Sequence, residues 1–155
     1  MGAFFTQSLL IALVLFVILL LGGMLHVAVL VSIAASVFIA FAMPHTQAAR
    51  PRYLVGGYII GILCGVMLHY GNMWLVMCGV TVAGQGPHVL CGPLAAGLAV
   101  WMMTVLNYEH PPAAALALGL VLEARALPSA GMALGAIVFI CGLQAILRKR
   151  LHNLL

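Results

Sequence analysis

Acidic side chains are almost missing from this chain of 155 residues: Glu109 and Glu123 are its only carboxylates, and it has no aspartate. Charged residues of both signs make up 5%, against roughly a quarter in a soluble domain. So little charge cannot cover a water-exposed surface, and two glutamates offer no nucleophile, base and acid set for an enzyme. No cofactor fingerprint is present. The four cysteines, Cys64, Cys78, Cys91 and Cys141, lie far apart in apolar runs without a CxxC pair. They exclude a disulfide framework and a zinc site, and read as small buried apolar residues. A basic face for nucleic acid is also missing, because the six Lys and Arg residues that leave the chain at +4 are gathered in a few short places. The amino terminus lacks the basic region of a secretory signal, so the first apolar run reads as a mature helix.

What remains is apolar: 66% of the residues, with 17 glycines. At about 20 residues per crossing this supplies five or six spans and no separate soluble domain. The expected fold is all-α, a polytopic helical bundle of about six membrane segments forming one transmembrane domain over 1–155. Spans are predicted at 4–21, 24–43, 53–70, 89–106 and 127–147, with a loop at 44–52 that holds Pro44, Arg50, Pro51 and Arg52. Gly71 and Asn72 are expected to end the third span. The short apolar piece 73–83 then reads as interfacial, re-entrant or a helical extension of its neighbour. A second short segment, 113–122, starts after Glu109-His110-Pro111-Pro112 and stops at Glu123.

Charge placement adds topology. Arg50 and Arg52 on one side, and Arg148 to Arg150 on the other, mark two cytoplasmic sites under the positive-inside rule, so an even number of crossings separates them. Both termini are then cytoplasmic, as in a bacterial inner-membrane protein. Six crossings also divide into halves of opposite orientation, about 4–70 and 89–147 with 73–88 as connector. Such an inverted repeat lays Ala34-Ala35 on Ala113-Ala114 and Gly56 on Gly135. It rests on hydropathy and loop placement, because identity between the halves is no higher than composition alone yields.

Pro111-Pro112 followed by Ala113, Ala114 and Ala115 reads as a helix start. If that start lies inside the membrane, its N–H groups and positive dipole end attract an anion, and His110 adds a donor or a charge. The alternative is a plain solvent loop in which Glu109 and His110 are hydrated. Ser32 and Ser36 share a helix face and offer hydroxyls; with Ala34 and Ala35 they form a small-residue segment that either packs closely or lines a route. Arg50 and Arg52 set topology or recruit an anion. Gly56-Gly57, Gly61 and Gly65 follow the spacing of close membrane-helix packing. His26, His69 and His88 fall near helix ends, and His45 in the loop. A stripe of His69, Met73 and Met77 suggests, as a secondary reading, soft metal ligands.

The run HPPAAALA at 110–117 resembles the HPP family of small integral membrane proteins, whose motif is close to HPPAGATA. Matches are His110, Pro111, Pro112, Ala113, Ala115 and Ala117; Ala114 replaces Gly and Leu116 replaces Thr. The first half is similar to the family's second marked region, keeping Pro51-Arg52 and Gly56-Gly57 and placing Tyr58 where the family pattern has His. The resemblance spans about 24–147. It implies a multi-span membrane protein that passes a small inorganic anion such as nitrite, the solute associated with a plant chloroplast member. Taken with the helix start and the small-residue segment, the candidate site residues are His110, Pro111, Pro112, Ala113, Ala114, Ala115, Ser32, Ala34, Ala35, Ser36 and Arg52, with no cofactor or metal expected. The expected partners are the small anion, the lipid bilayer and further copies of the chain, with no nucleic acid. The competing readings are a non-transporting scaffold and a Met/His metal-ion transporter.

Overall fold

A computed structural model of the chain describes residues 2–22, 27–148 and 150–153. Among them are six α-helices: α1 (Gly2–Gly22), α2 (Val27–Ala42), α3 (Pro51–Met77), α4 (His88–Leu106), α5 (Pro111–Leu122) and α6 (Ala126–Leu147). His26 lies outside the described residues, as does Lys149 of the basic tail. Three helices, α3, α4 and α6, are long and apolar enough to cross a membrane; α2 and α5 are shorter apolar helices. The bundle is the all-helical membrane architecture that the composition requires, since a backbone in hydrocarbon must satisfy its own hydrogen bonds.

The third helix corrects one boundary. It runs through Gly71 and Asn72 to Met77, so residues 73–77 are an extension of α3. A glycine costs a helix only about 1 kcal/mol relative to alanine, too little to end one whose other residues favour it. At 27 residues α3 is about 40 Å long, more than the hydrocarbon thickness, and its last turns carry exposed Met73, Trp74 and Met77. It stops at Cys78 and Gly79, which has φ 72°, while the Val80 N–H returns to the Leu75 carbonyl at 3.0 Å. Cys78 is exposed, unlike the buried Cys64 and Cys91.

The shortest named α-helix is the most enclosed. α5 packs against α2, α3, α4 and α6, whereas α1 lies outside and leans on α2. Its buried residues include Pro112, Ala113, Leu116, Ala117, Gly119, Leu120 and Val121. Along α3 the glycines Gly57, Gly61 and Gly65 face His110, Ala113 and Ala117 in turn, so α3 and α5 run parallel with backbones in contact. A Cβ at any of the three would overlap α5. Gly57 lies about 9 Å along α3 from Pro51, which sets the start of α5 well inside the bundle.

One end of the bundle gathers the chain's beginning and end with the 44–52 loop. Gln7 donates from its side-chain amide to the Phe41 carbonyl and, at 2.7 Å, to the His152 carbonyl. The Gln144 amide donates to the Ala40 carbonyl at 3.0 Å, and the His45 N–H donates to Asn153 Oδ1 at 3.1 Å. These amides take up carbonyls that the last turn of α2 leaves without helical partners. Arg50, Arg52, Arg148 and Arg150 all belong to this end, whereas Glu123 and Arg125 follow α5 at the other.

Gly61→Ala should lower thermal stability in detergent by about 1–3 kcal/mol through overpacking against the Ala113 carbonyl. Gly97→Ala, where a Cβ meets nothing within 4 Å, should leave it unchanged or slightly raised. In a Cys78→Ser background, cysteines at exposed His45 and Ala124 should be labelled by a membrane-impermeant maleimide from opposite faces of the membrane. Labelling from the same face would contradict the arrangement of ends described here.

Candidate functional site

The turn from α4 to α5 begins at Asn107, which holds the left-handed conformation at φ 54° and closes α4 through the Tyr108 N–H to the Met103 carbonyl. Tyr108 packs on Gly56, and the Arg52 guanidinium sits 5.0 Å from the centre of its ring. Glu109 faces out and is exposed, while His110 is fully buried. The stretch thus divides between its two residues: Glu109 is exposed and His110 is enclosed by the bundle.

His110 caps α5 with extended backbone and turns its imidazole toward α2 and α3. Its Nε2 lies 2.9 Å from Ser36 Oγ, and the Tyr58 hydroxyl lies 2.9 Å from the same oxygen. The rings of Tyr58 and His110 are 5.7 Å apart. Ser36 also donates to the Ser32 carbonyl at 3.0 Å, one turn back on α2. Ser36, Tyr58 and His110 are each fully buried, so three helices bring one polar group apiece to a single point inside an apolar bundle.

Donor and acceptor arithmetic orders these protons. Ser36 has one hydroxyl proton, and the Ser32 carbonyl can only accept it. The other two contacts are then hydrogen bonds in one arrangement: the Tyr58 hydroxyl donates to Ser36, and so does His110 through a protonated Nε2. In a neutral imidazole Nδ1 is then a bare acceptor. That atom is buried and closes no hydrogen bond of normal geometry. The backbone of Ala48, in the short 3-10 turn Gln47–Ala49, is the other polar group acting on the ring. A protonated ring would present an N–H at Nδ1 in place of a lone pair.

The structure sorts the remaining residues named from sequence. Expected free N–H groups at the start of α5 are not there: Pro111 and Pro112 have none, and the Ala113 N–H donates to the His110 carbonyl at 2.9 Å. The double proline that begins the helix thus removes the donors an anion would use. Pro112 and Ala113 are buried against the bundle, Ala114 is half-buried, and Pro111 and Ala115 are exposed. On α2 the Ser32 hydroxyl donates to its own Val29 carbonyl at 2.7 Å and lies within reach of Tyr58. Ala34 lines a groove with Leu15, Ile18 and Val27 between α1 and α2, away from His110, and Ala35 is half-buried. Arg52 stands at the rim, stacked on Tyr108. Tyr58 was not singled out as a site residue from sequence; the signal was its place where the resemblance has a histidine. Among the described residues no group of three or more His, Cys, Asp or Glu is arranged to hold a metal ion.

Ser36→Ala should cost about 1–3 kcal/mol of thermal stability in detergent, because it leaves the His110 N–H and the Tyr58 hydroxyl without their shared acceptor. Tyr58→Phe, which removes a single donor, should cost about 1 kcal/mol or less. The reverse order would contradict the role of Ser36 as the shared oxygen.

The profile of the HPP transmembrane region matches residues 1–152. No curated protein and no solved structure matches the chain.

Proposed function

The chain belongs to the HPP transmembrane family, and on that premise we propose that it is a transporter or channel for a small inorganic anion, nitrite first among the candidates. The anion is held at the amino-terminal end of α5. One observation carries this reading: His110 is fully buried, has its Nε2 committed to Ser36, and leaves Nδ1 without a hydrogen bond. An unpaired polar atom in an apolar interior costs about 1–3 kcal/mol, which a ligand that pairs with it would recover.

The donor for the anion is the Nδ1–H of a protonated His110, in place of backbone N–H groups. A charge-assisted hydrogen bond from imidazolium is stronger than a neutral one, and the positive end of the α5 dipole adds to it. Tyr58 and Ser36 hold the ring from the other side and keep its second N–H occupied. The Gln47–Ala49 turn covers the site from the basic end, and Arg52 at the rim draws anions toward it. Binding as an ion pair also lessens the net charge that must enter a low-dielectric interior. The basic end is cytoplasmic in this reading, and the chain works in a bacterial inner membrane. Exposed apolar side chains such as Phe16, Trp101 and Val138 meet lipid or a second copy in a homo-oligomer. An inverted repeat draws on the paired contacts α1 on α2 as α4 on α5 and α2 on α6 as α5 on α3, whereas the packing of α3 on α4 has no comparable counterpart in α6 on α1.

In proteoliposomes assayed with nitrite, nitrate, formate and chloride, at least one anion should enter faster than in protein-free vesicles. Uptake should rise as pH falls, since the protonated ring is the binding form. His110→Gln should reduce uptake about tenfold or more and flatten the pH profile. Should no anion move, or should the variant keep the rate and pH profile of the parent, the reading is wrong.

A further inference from the structure

Helix α1 packs chiefly on α2 and shares little direct packing with α6. Where the start of α1 passes the end of α6, a groove of about 260 Å³ separates the two, lined by Thr6, Gln7 and Leu10 from α1, Leu147 from α6, and Arg150 and Leu151 from the tail. The tail reaches the groove because it turns back at once, the Arg150 N–H donating to the Leu147 carbonyl at 2.8 Å. Leu151 is buried by that turn, whereas Arg150 stays exposed. Gln7 is already committed, its amide donating to the Phe41 and His152 carbonyls. What the groove offers a ligand is therefore the apolar surface of Leu10, Leu147 and Leu151 beside an exposed guanidinium.

Position in the membrane decides the class of ligand. α6 is long and apolar enough to cross, and Arg150 stands three residues past its end, at the level where phospholipid headgroups lie. Both helices continue from the groove with exposed apolar side chains, Leu9 and Leu13 on α1 and Ile146 on α6. Neither glutamate lines the groove, so nothing in its lining answers the charge of Arg150. A ligand that suits both parts is amphipathic and anionic. A small hydrophilic anion would leave the leucines uncovered, and a zwitterionic headgroup brings an ammonium to Arg150 along with its phosphate. A second copy inserted in the same sense would bring its own basic end to the same height, so that like charges meet.

We propose that this groove is a binding site for a phospholipid with an anionic headgroup. The lipid phosphate accepts charge-assisted hydrogen bonds from the Arg150 guanidinium, whose planar fork matches phosphate oxygens in pairs. The upper part of the acyl chains covers Leu10 and Leu147, and the chains run on over the exposed side chains of α1 and α6. The lipid thus supplies packing that α1 and α6 do not make with each other, and holds the tail against the start of α1. Arg148, exposed but outside the lining, adds to the attraction of that end for anionic lipid without forming the site. The proposal depends on the membrane location of the chain and not on which solute crosses it.

The test titrates the full-length protein in dodecyl maltoside micelles with phosphatidylglycerol, phosphatidylcholine and inorganic phosphate in parallel, reading the thermal midpoint and the lipid retained in native mass spectra. Phosphatidylglycerol should raise the midpoint in a saturable way, as a ligand of the folded state does, and be retained as a single bound lipid, while the other two have little effect. Arg150→Gln should weaken the apparent affinity for phosphatidylglycerol several-fold. Arg148→Gln, which removes the same charge from the same end, should keep most of the parent affinity. Equal losses in the two variants overturn the proposal, because they assign the effect to the charge of that end as a whole. A parent that ignores phosphatidylglycerol also overturns it, as does one that responds equally to phosphatidylcholine or to inorganic phosphate. A midpoint that rises with protein concentration in the absence of lipid, and does so no longer in Arg150→Gln, gives the groove to a second copy and overturns it too.

Discussion

A helix of 12 residues is about 18 Å long and cannot cross some 30 Å of hydrocarbon, and the amino-terminal end of α5 lies enclosed within the bundle. The rest of the bundle answers to that constraint. Irregular backbone at membrane depth is tolerated only where protein covers it, and α2, α3, α4 and α6 supply the cover. The glycines of α3 let the two backbones touch, the 44–52 loop closes over the turn before His110, and the end of α3 walls a recess beside Glu123. Removing side chains from one helix is what makes room for another in the middle.

Burying the start of α5 also creates the polar centre. A proline pair is well suited to begin a helix, but it carries no N–H groups, so the usual anion-binding property of a helix amino terminus is lost while the dipole remains. The side chain at the cap then becomes the available donor. Ser36 ties it down: one hydroxyl oxygen meets Tyr58, His110 and the Ser32 carbonyl. Tyr58 occupies the place where the HPP pattern has histidine, so this chain keeps a single imidazole at the point where α2, α3 and α5 meet.

Much of this was legible in the residues. Span positions, the all-helical class, the loop with its two arginines and the special standing of His110 follow from hydropathy, charge and one motif. Ser36 was reachable through its small-residue segment. The continuation of α3 was not, because Gly71 and Asn72 are weak breakers whose effect depends on what flanks them. Ala34 was grouped with Ser36 by nearness in sequence, yet the two point to different neighbours: the α1 groove in one case and His110 in the other. His69 and His88 looked like separate interfacial histidines, since nothing along the chain relates the end of one helix to the start of the next.

Composition by itself determined that this chain lives in a bilayer as helices, because eight charged side chains cannot cover a soluble surface and unpaired backbone cannot rest in lipid. That Pro111 and Pro112 begin a helix was likewise legible in the residues, whereas the Ala113 N–H turned back to the His110 carbonyl was not. Tertiary structure alone decided that Ser36, Tyr58 and His110 share one oxygen and that His69, His88 and Glu123 line one recess. Those meetings depend on which helix face turns toward which, and in a bundle that is apolar all round, periodicity carries no record of it.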